Sequence, residues 1–317
     1  MSKHVVCAGI ICLDIVNTLS QPAVMGGKQT GCGLLQSPGG IIKNTAEVLA
    51  RMGEAVSLIS AAGYDSFSQA AVNGCQSAGI DIGHIRLVQG GSVVTCIQVV
   101  QPNGDLVIMT GTAIDPNSQV TIEQVKQAHD LIDSAGALML CPSLSDEVID
   151  YLVAAYPHIP LFADVGAAVN RDKFAPYLKY LHTFKVNLRE AEAFCGFSIK
   201  SGEDLKRAAD CFLKEGVQNI AITLGGDGAV YANSERFAIY PAKPVEKVVN
   251  TAGAGDSFLA GLIFGHINGL DTDTSVAIAS ACARLSIQSM HTINPDIDPA
   301  SVLKEAGFYK RGSTSVL

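Results

Sequence analysis

Gly253-Ala254-Gly255-Asp256 stands directly before the apolar stretch 257–269, whose length and composition suit a helix. Small residues at a helix start leave its first N–H groups unobstructed, and the helix dipole adds positive potential there. Such a nest stabilises the negative charge that develops on a transferred phosphoryl group. Asp256 falls in the first turn, where a carboxylate can accept a proton from an attacking hydroxyl. The same four residues also read as a tight turn followed by an ordinary helix-start acid. On the motif alone both readings stand. Other glycine motifs point away from the common nucleotide devices. Gly26-Gly27-Lys28 lacks the upstream glycine and the following Ser/Thr of a Walker loop, and no G-x-G-x-x-G both follows a strand and opens a helix.

The elements that must carry this turn alternate. Short apolar runs at 5–13, 55–61, 137–141, 160–163, 183–186 and 219–224 predict strands buried on both faces, as a parallel sheet requires. Between them, 43–52, 66–78, 121–134 and 201–214 predict helices, two of them opened by capping-box spacings at Thr121/Gln124 and Ser201/Asp204. The expected fold is α/β: a mostly parallel central sheet with helices on both faces. One region breaks the rhythm. Runs 92–100 and 105–112, rich in Val, Ile and Thr, flank Gln101-Pro102-Asn103-Gly104, a hairpin signal. With the polar, glycine-rich 17–38 segment they predict a small β layer serving as a lid, here bounded at 15–38 and 92–113. The remainder of 1–317 reads as one domain.

Composition narrows the classes. With 317 residues, 48% apolar and 16% charged, the chain suits a compact enzyme and not a disordered protein. A net charge of −8 argues against a nucleic-acid partner, though a small phosphorylated ligand remains compatible. Cys7, Cys12, Cys32, Cys75, Cys96, Cys141, Cys195, Cys211 and Cys282 are odd in number and never spaced C-x-x-C. They predict a reduced, cytoplasmic protein without a disulfide framework or zinc site. The apolar 5–13 run is broken by Asp14 and is too short to span a bilayer, so no membrane partner is expected.

At this point a resemblance enters. Val249-Asn250-Thr251-Ala252-Gly253-Ala254-Gly255-Asp256-Ser257-Phe258 is similar to the D-T-x-G-A-G-D signature of ribokinase-like (PfkB) carbohydrate kinases. Ser37-Pro38-Gly39-Gly40-Ile41-Ile42-Lys43-Asn44-Thr45-Ala46, continuing to Gly53, resembles that family's other signature. Gly9 to Asp14, Gly63-Tyr64-Asp65, Asn187-Leu188-Arg189-Glu190 and Thr223-Leu224-Gly225-Gly226-Asp227-Gly228 resemble smaller family elements in the same order. The likeness spans roughly residues 4 to 305.

The resemblance implies an ATP-dependent kinase acting on the hydroxymethyl group of a sugar or nucleoside. Asp256 would be the base, with Gly253, Ala254 and Gly255 forming the anion hole. Asp14, Gly39, Gly40 and Asn44 would orient the acceptor. Asn187, Glu190, Thr223, Gly225, Gly228 and Thr251 would lie along the nucleotide, with Glu190 holding Mg²⁺ through water. Lys43 is read as a surface residue and left out of the acting set.

Within the family the stretch from Ser37 to Arg51, and Thr292-Ile293-Asn294-Pro295, resemble pseudouridine kinases, which makes pseudouridine the expected acceptor. The run Asp105–Gly111 departs from the N-D-M-like lid sequence of those enzymes, so ribose, fructose-type and deoxy-ketoacid acceptors are the alternatives. Asn250 departs from the usual Asp of a monovalent-cation site. It keeps an oxygen but not the charge, which predicts weak or absent K⁺ activation. A non-catalytic binding protein on the same fold would lack the base or the anion hole, and an oxidoreductase would need the missing dinucleotide fingerprint. The exposed edge of a β lid also predicts a homodimer formed through it.

Overall fold

The computed structural model describes residues 4–24, 26–102 and 106–308. In chain order the strands are β1 (Val5–Ala8), β2 (Cys12–Leu19), β3 (Gly31–Gly39), β4 (Val56–Gly63), β5 (Asp81–Val88), β6 (Val94–Val100) and β7 (Leu106–Gly111). They continue with β8 (Ala137–Leu140), β9 (Leu161–Asp164), β10 (Thr183–Asn187), β11 (Asn219–Thr223), β12 (Ala229–Asn233) and β13 (Phe237–Tyr240). The larger sheet runs β13-β12-β11-β10-β9-β8-β1-β4-β5. Every pairing from β5 to β11 is parallel, and only β12 and β13 run antiparallel at one edge.

Strand residues alternate between two apolar layers. Val6, Ala8, Leu138 and Leu140 face one core, while Val5, Cys7, Ala137 and Met139 face the other. Helices cover both faces, which explains why these strands read as continuous apolar runs. From β1 the chain proceeds to β4 and β5 on one side and later to β8, β9, β10 and β11 on the other. In open sheets with such a reversal of strand order, ligands usually sit beyond the carboxyl ends of the strands.

The second sheet has the order β3-β2-β6-β7, with β2 antiparallel to β3 and parallel to β6, and β6 antiparallel to β7. Its strands overlap the expected segments 15–38 and 92–113, with β2 starting earlier at Cys12 and β3 ending at Gly39, and Asn103, Gly104 and Asp105 of the expected hairpin turn lie outside the described residues. The apolar 5–13 run is not one strand. It leaves the large sheet after Ala8, turns where Ser143 Oγ accepts from Ile10 N at 3.0 Å, and re-forms as β2 in the small sheet. The single helix expected over 121–134 is likewise divided at Ala128, between Ile122–Gln127 and His129–Asp133.

The helix Ala254–Ile267 is buried on nearly every side. Gly261 and Gly265 let the Thr272–Ser286 helix approach closely, since a Cβ at 261 would lie 2.4 Å from Ala279 Cα. Among the described residues, no helix is long and apolar enough to cross a membrane.

Candidate active site

The helix Ala254–Ile267 starts three residues before its expected position, which puts Gly253 at its N-cap. Gly253 has φ +76°, and a Cβ there would stand 2.2 Å from Thr292 O, so the turn requires glycine on both counts. No side chain caps this helix, which leaves first-turn N–H groups for an incoming anion. Asp256 lies in that first turn. Crossing it is the helix Ile41–Arg51, from which Asn44 Nδ2 donates to Asp256 Oδ2 at 2.7 Å and Thr45 Oγ1 donates to Asp256 O at 3.4 Å. Burial pushes the Asp256 carboxyl up to about 6, and the nearby Asp164 carboxylate adds to the rise. The Asn44 N–H, Lys185 and Lys43 pull the other way. A carboxylate with that value can still be ionised at neutral pH while keeping useful basicity.

Two residues absent from the sequence-based set stand beside it. Lys185 Nζ meets Asp164 Oδ2 at 2.7 Å, and both side chains are buried. A Cβ on Gly255 would lie 2.5 Å from Lys185 Nζ, so the ammonium rests directly against the anion hole. Burial opposes the lysine's charge, yet Asp164, aided by Asp256 and Glu190, holds it above its ordinary value. Their only signal in the sequence is a charged residue at the carboxyl end of an apolar strand run.

The residues expected to orient an acceptor gather at the small sheet and the start of the Ile41–Arg51 helix. Asp14 in β2 pairs with Ser37 and Cys96 across its neighbours and rests on Gly39, where a Cβ would be 2.2 Å from Asp14 Oδ2. Burial raises Asp14 above the usual carboxylate value, while Lys43 and a hydrogen bond with Cys96 lower it. Gly40 caps the Ile41–Arg51 helix at φ +97°. Lys43 corrects the sequence expectation: it is not at the surface but 2% exposed, with Nζ 2.6 Å from Glu47 Oε2. The helix presents Lys43 and Asn44 inward because the residues around them fill its core-facing side.

Along the other flank runs a cleft of about 540 Å³. Asn187, Thr223, Gly225, Gly228, Thr251, Ala254 and Gly255 line it, joining the expected nucleotide residues to the anion hole. Gly228 has φ +108° and sits against the 240–242 segment, where a Cβ would be 2.0 Å from Tyr240 O. The far wall, Val245, Val248, Ala283 and Ile287 with Arg284, was not legible as a site, since such residues resemble any core or loop.

Glu190 is buried and does not line this cleft. Its Oε2 accepts from Asn187 N at 2.7 Å while Asn187 Oδ1 accepts from Glu190 N at 3.0 Å, a reciprocal cap. Burial raises its carboxyl, and Asp164 contributes to the rise. Asp164, Glu190 and Asp256 thus bring like charges into one region, which Lys185 partly offsets. Among the described residues no three such side chains lie close enough to hold a metal ion directly. Asn250 stands apart from the cleft lining as well. Its Oδ1 accepts from Ala252 N at 3.0 Å and its Nδ2 donates to Met290 O at 3.3 Å, so both ends of the amide shape the turn.

Comparisons with known proteins identify the family and the fold. A family model described as pfkB family carbohydrate kinase matches residues 2–299. Pseudouridine kinase of Escherichia coli K12 is 26% identical over 267 residues, covering 84% of this chain and 85% of that protein. Ribokinase of Haemophilus influenzae is 24% identical over 291 residues, covering 90% and 93%. The structure of Arabidopsis thaliana ribokinase complexed with ribose and ATP superposes with a TM-score of 0.82 at 19% identity, covering 98% of this chain and all of that one, and shares the fold.

Proposed function

The chain belongs to the pfkB family of carbohydrate kinases, an ATP-dependent sugar or nucleoside kinase, and we propose that its acceptor is pseudouridine, converted to pseudouridine 5′-phosphate. The observation that carries the reaction is the Asn44–Asp256 hydrogen bond, which joins the acceptor side to the base and its anion hole. Pseudouridine is favoured by the similarity to an enzyme of that name and by the Thr292–Pro295 loop, whose Thr292 O packs on Gly253.

In this reading Asp14 and Asn44 hold the acceptor's hydroxyls, and its hydroxymethyl group meets the free oxygen of Asp256. That carboxylate takes the hydroxyl proton as the oxygen attacks the γ-phosphorus of ATP. The N–H groups after Gly253, with Lys185 behind Gly255, offset the charge on the transferring phosphoryl. Bound magnesium supplies charge neutralisation at the ATP phosphates. Glu190, one oxygen tied to Asn187 N, would hold its hydration shell. The whole of 1–317 acts as one domain, and the small sheet, described as a lid, excludes water from the acceptor. Leu34 and Ile97 of that sheet are 68% and 43% exposed, which favours a second copy of the chain as their cover.

The test is ADP release by the purified chain over pseudouridine, common nucleosides, ribose, fructose phosphates and deoxy-ketoacids. Pseudouridine should give the highest kcat/KM. A higher value for another acceptor would reassign the substrate while leaving the kinase reading in place.

A further inference from the structure

The helix Ile41–Arg51 carries a ladder of charges on one face that ends at the base. Arg51 Nε and Nη2 donate to Glu47 Oε1 at 2.9 and 2.8 Å, and Arg51 Nη1 donates to Pro295 O at 2.8 Å. Glu47 Oε2 lies 2.6 Å from Lys43 Nζ, and Lys43 Nζ donates to Asn44 Oδ1 at 3.4 Å. Asn44 Nδ2 then reaches Asp256 Oδ2. Lys43, Asn44 and Glu47 are all less than 10% exposed.

An asparagine amide is ambivalent, with an acceptor at one end and a donor at the other. Lys43 offers only donors, so it takes the oxygen and leaves the amino group for Asp256. A reversed amide would set two oxygens against each other at the base and two donors against each other at Lys43. The orientation of Asn44 in turn fixes which Asp256 oxygen is engaged and which is left for the substrate hydroxyl. We infer that Lys43 is a positioning residue for phosphoryl transfer: through Asn44 it holds Asp256 in its receiving orientation, and its charge offsets the crowding of Asp14 and Asp256.

The charged groups facing Asp256 come from three elements. Asp164 ends β9, Lys185 lies in β10, and Lys43 lies beside Asn44 on the Ile41–Arg51 helix. Lys43 also acts on Asp14, so one side chain reaches both acidic groups of the acceptor side. Glu47 restrains that influence by pairing with the ammonium. Removing Lys43 and removing the Glu47 charge should therefore perturb the base in opposite directions. A helix-stabilising i,i+4 pair with no catalytic consequence would give no such opposition.

The experiment measures kcat against pH for the full chain with saturating ATP and its best acceptor. Lys43→Met should lower kcat at pH 7 by about tenfold or more, with the ATP KM within about twofold. Its acid limb should move to higher pH by about half a unit or more, and Lys43→Arg should restore the limb. Glu47→Gln should move the limb to lower pH. Thermal unfolding of each variant identifies any that fail to fold, and the folded ones decide the question. Coincident acid limbs, shifts of the same sign in both variants, or a loss confined to the acceptor KM would overturn the role. The inference rests on Asp256 as the base. Turnover retained by Asp256→Asn would remove that reading, whereas an inactive Asp256→Asn beside an unshifted Lys43→Met removes only this one.

Discussion

On the proposed nucleotide side of the Gly253–Asp256 turn the chain presents mainly backbone, and on the proposed acceptor side it presents charged and polar side chains. Gly225, Gly228 and Gly253 all take positive φ, and the last two have no room for a Cβ. Across the turn, Asp14, Lys43 and Asn44 approach from two elements and meet through hydrogen bonds and charge. The difference separates two tasks. A phosphate chain common to many reactions can be held by N–H groups and shape, which tolerate change in the surrounding side chains. An acceptor must be distinguished from its relatives, and buried polar groups left unpaired by the wrong molecule provide that distinction.

The comparison can be tested from its centre outward. Asp256→Asn should reduce kcat by about a thousandfold or more while ATP binding, read by titration calorimetry, stays within about twofold. Gly228→Ala forces a Cβ against Tyr240 O and should raise the ATP KM on the order of a hundredfold. The acceptor KM should hardly move in that variant, and an effect on the acceptor instead would break the division. Asp14→Asn should do the reverse, raising the acceptor KM by about tenfold to a hundredfold at unchanged ATP KM. The smallest effect concerns Asn250, whose amide is occupied within the turn. Replacing Na⁺ or Cs⁺ by K⁺ should alter kcat by less than about twofold, and strong potassium dependence would return that residue to the cation site.

The two sides also differed in how well the sequence disclosed them. Gly253 to Asp256 could be singled out only through the longer 249–258 signature, since small residues before an apolar helix also fit a plain turn with a helix-start acid. Asn187 and Glu190 were singled out, but their reciprocal cap and the burial of Glu190 were not foreseen, since the spacing alone leaves that acid free to face solvent. Lys185 and Asp164 were invisible for a different reason. Asp164 ends β9 and Lys185 sits in the middle of β10, both unremarkable strands, and their pairing exists only once the two lie side by side. Lys43 was misread as a surface residue because its burial comes with the packing of the Ile41–Arg51 helix, which meets the Ala254–Ile267 helix more than two hundred residues away. The alternation of strands and helices showed the fold class, yet the break in the 5–13 run depends on Ser143, which no local pattern links to Ile10.

The near-complete burial of helix Ala254–Ile267 bears on how the enzyme loses activity. Beyond its first turn, which borders the cleft, this helix cannot fray alone, because opening it would expose both the apolar layer beneath and the Thr272–Ser286 helix above. Its amides should be among the slowest in the molecule to exchange with deuterium. Heat or denaturant should then unseat the catalytic helix only as the whole structure melts, while the amides of the small sheet, with exposed residues such as Leu34 and Ile97, should exchange sooner.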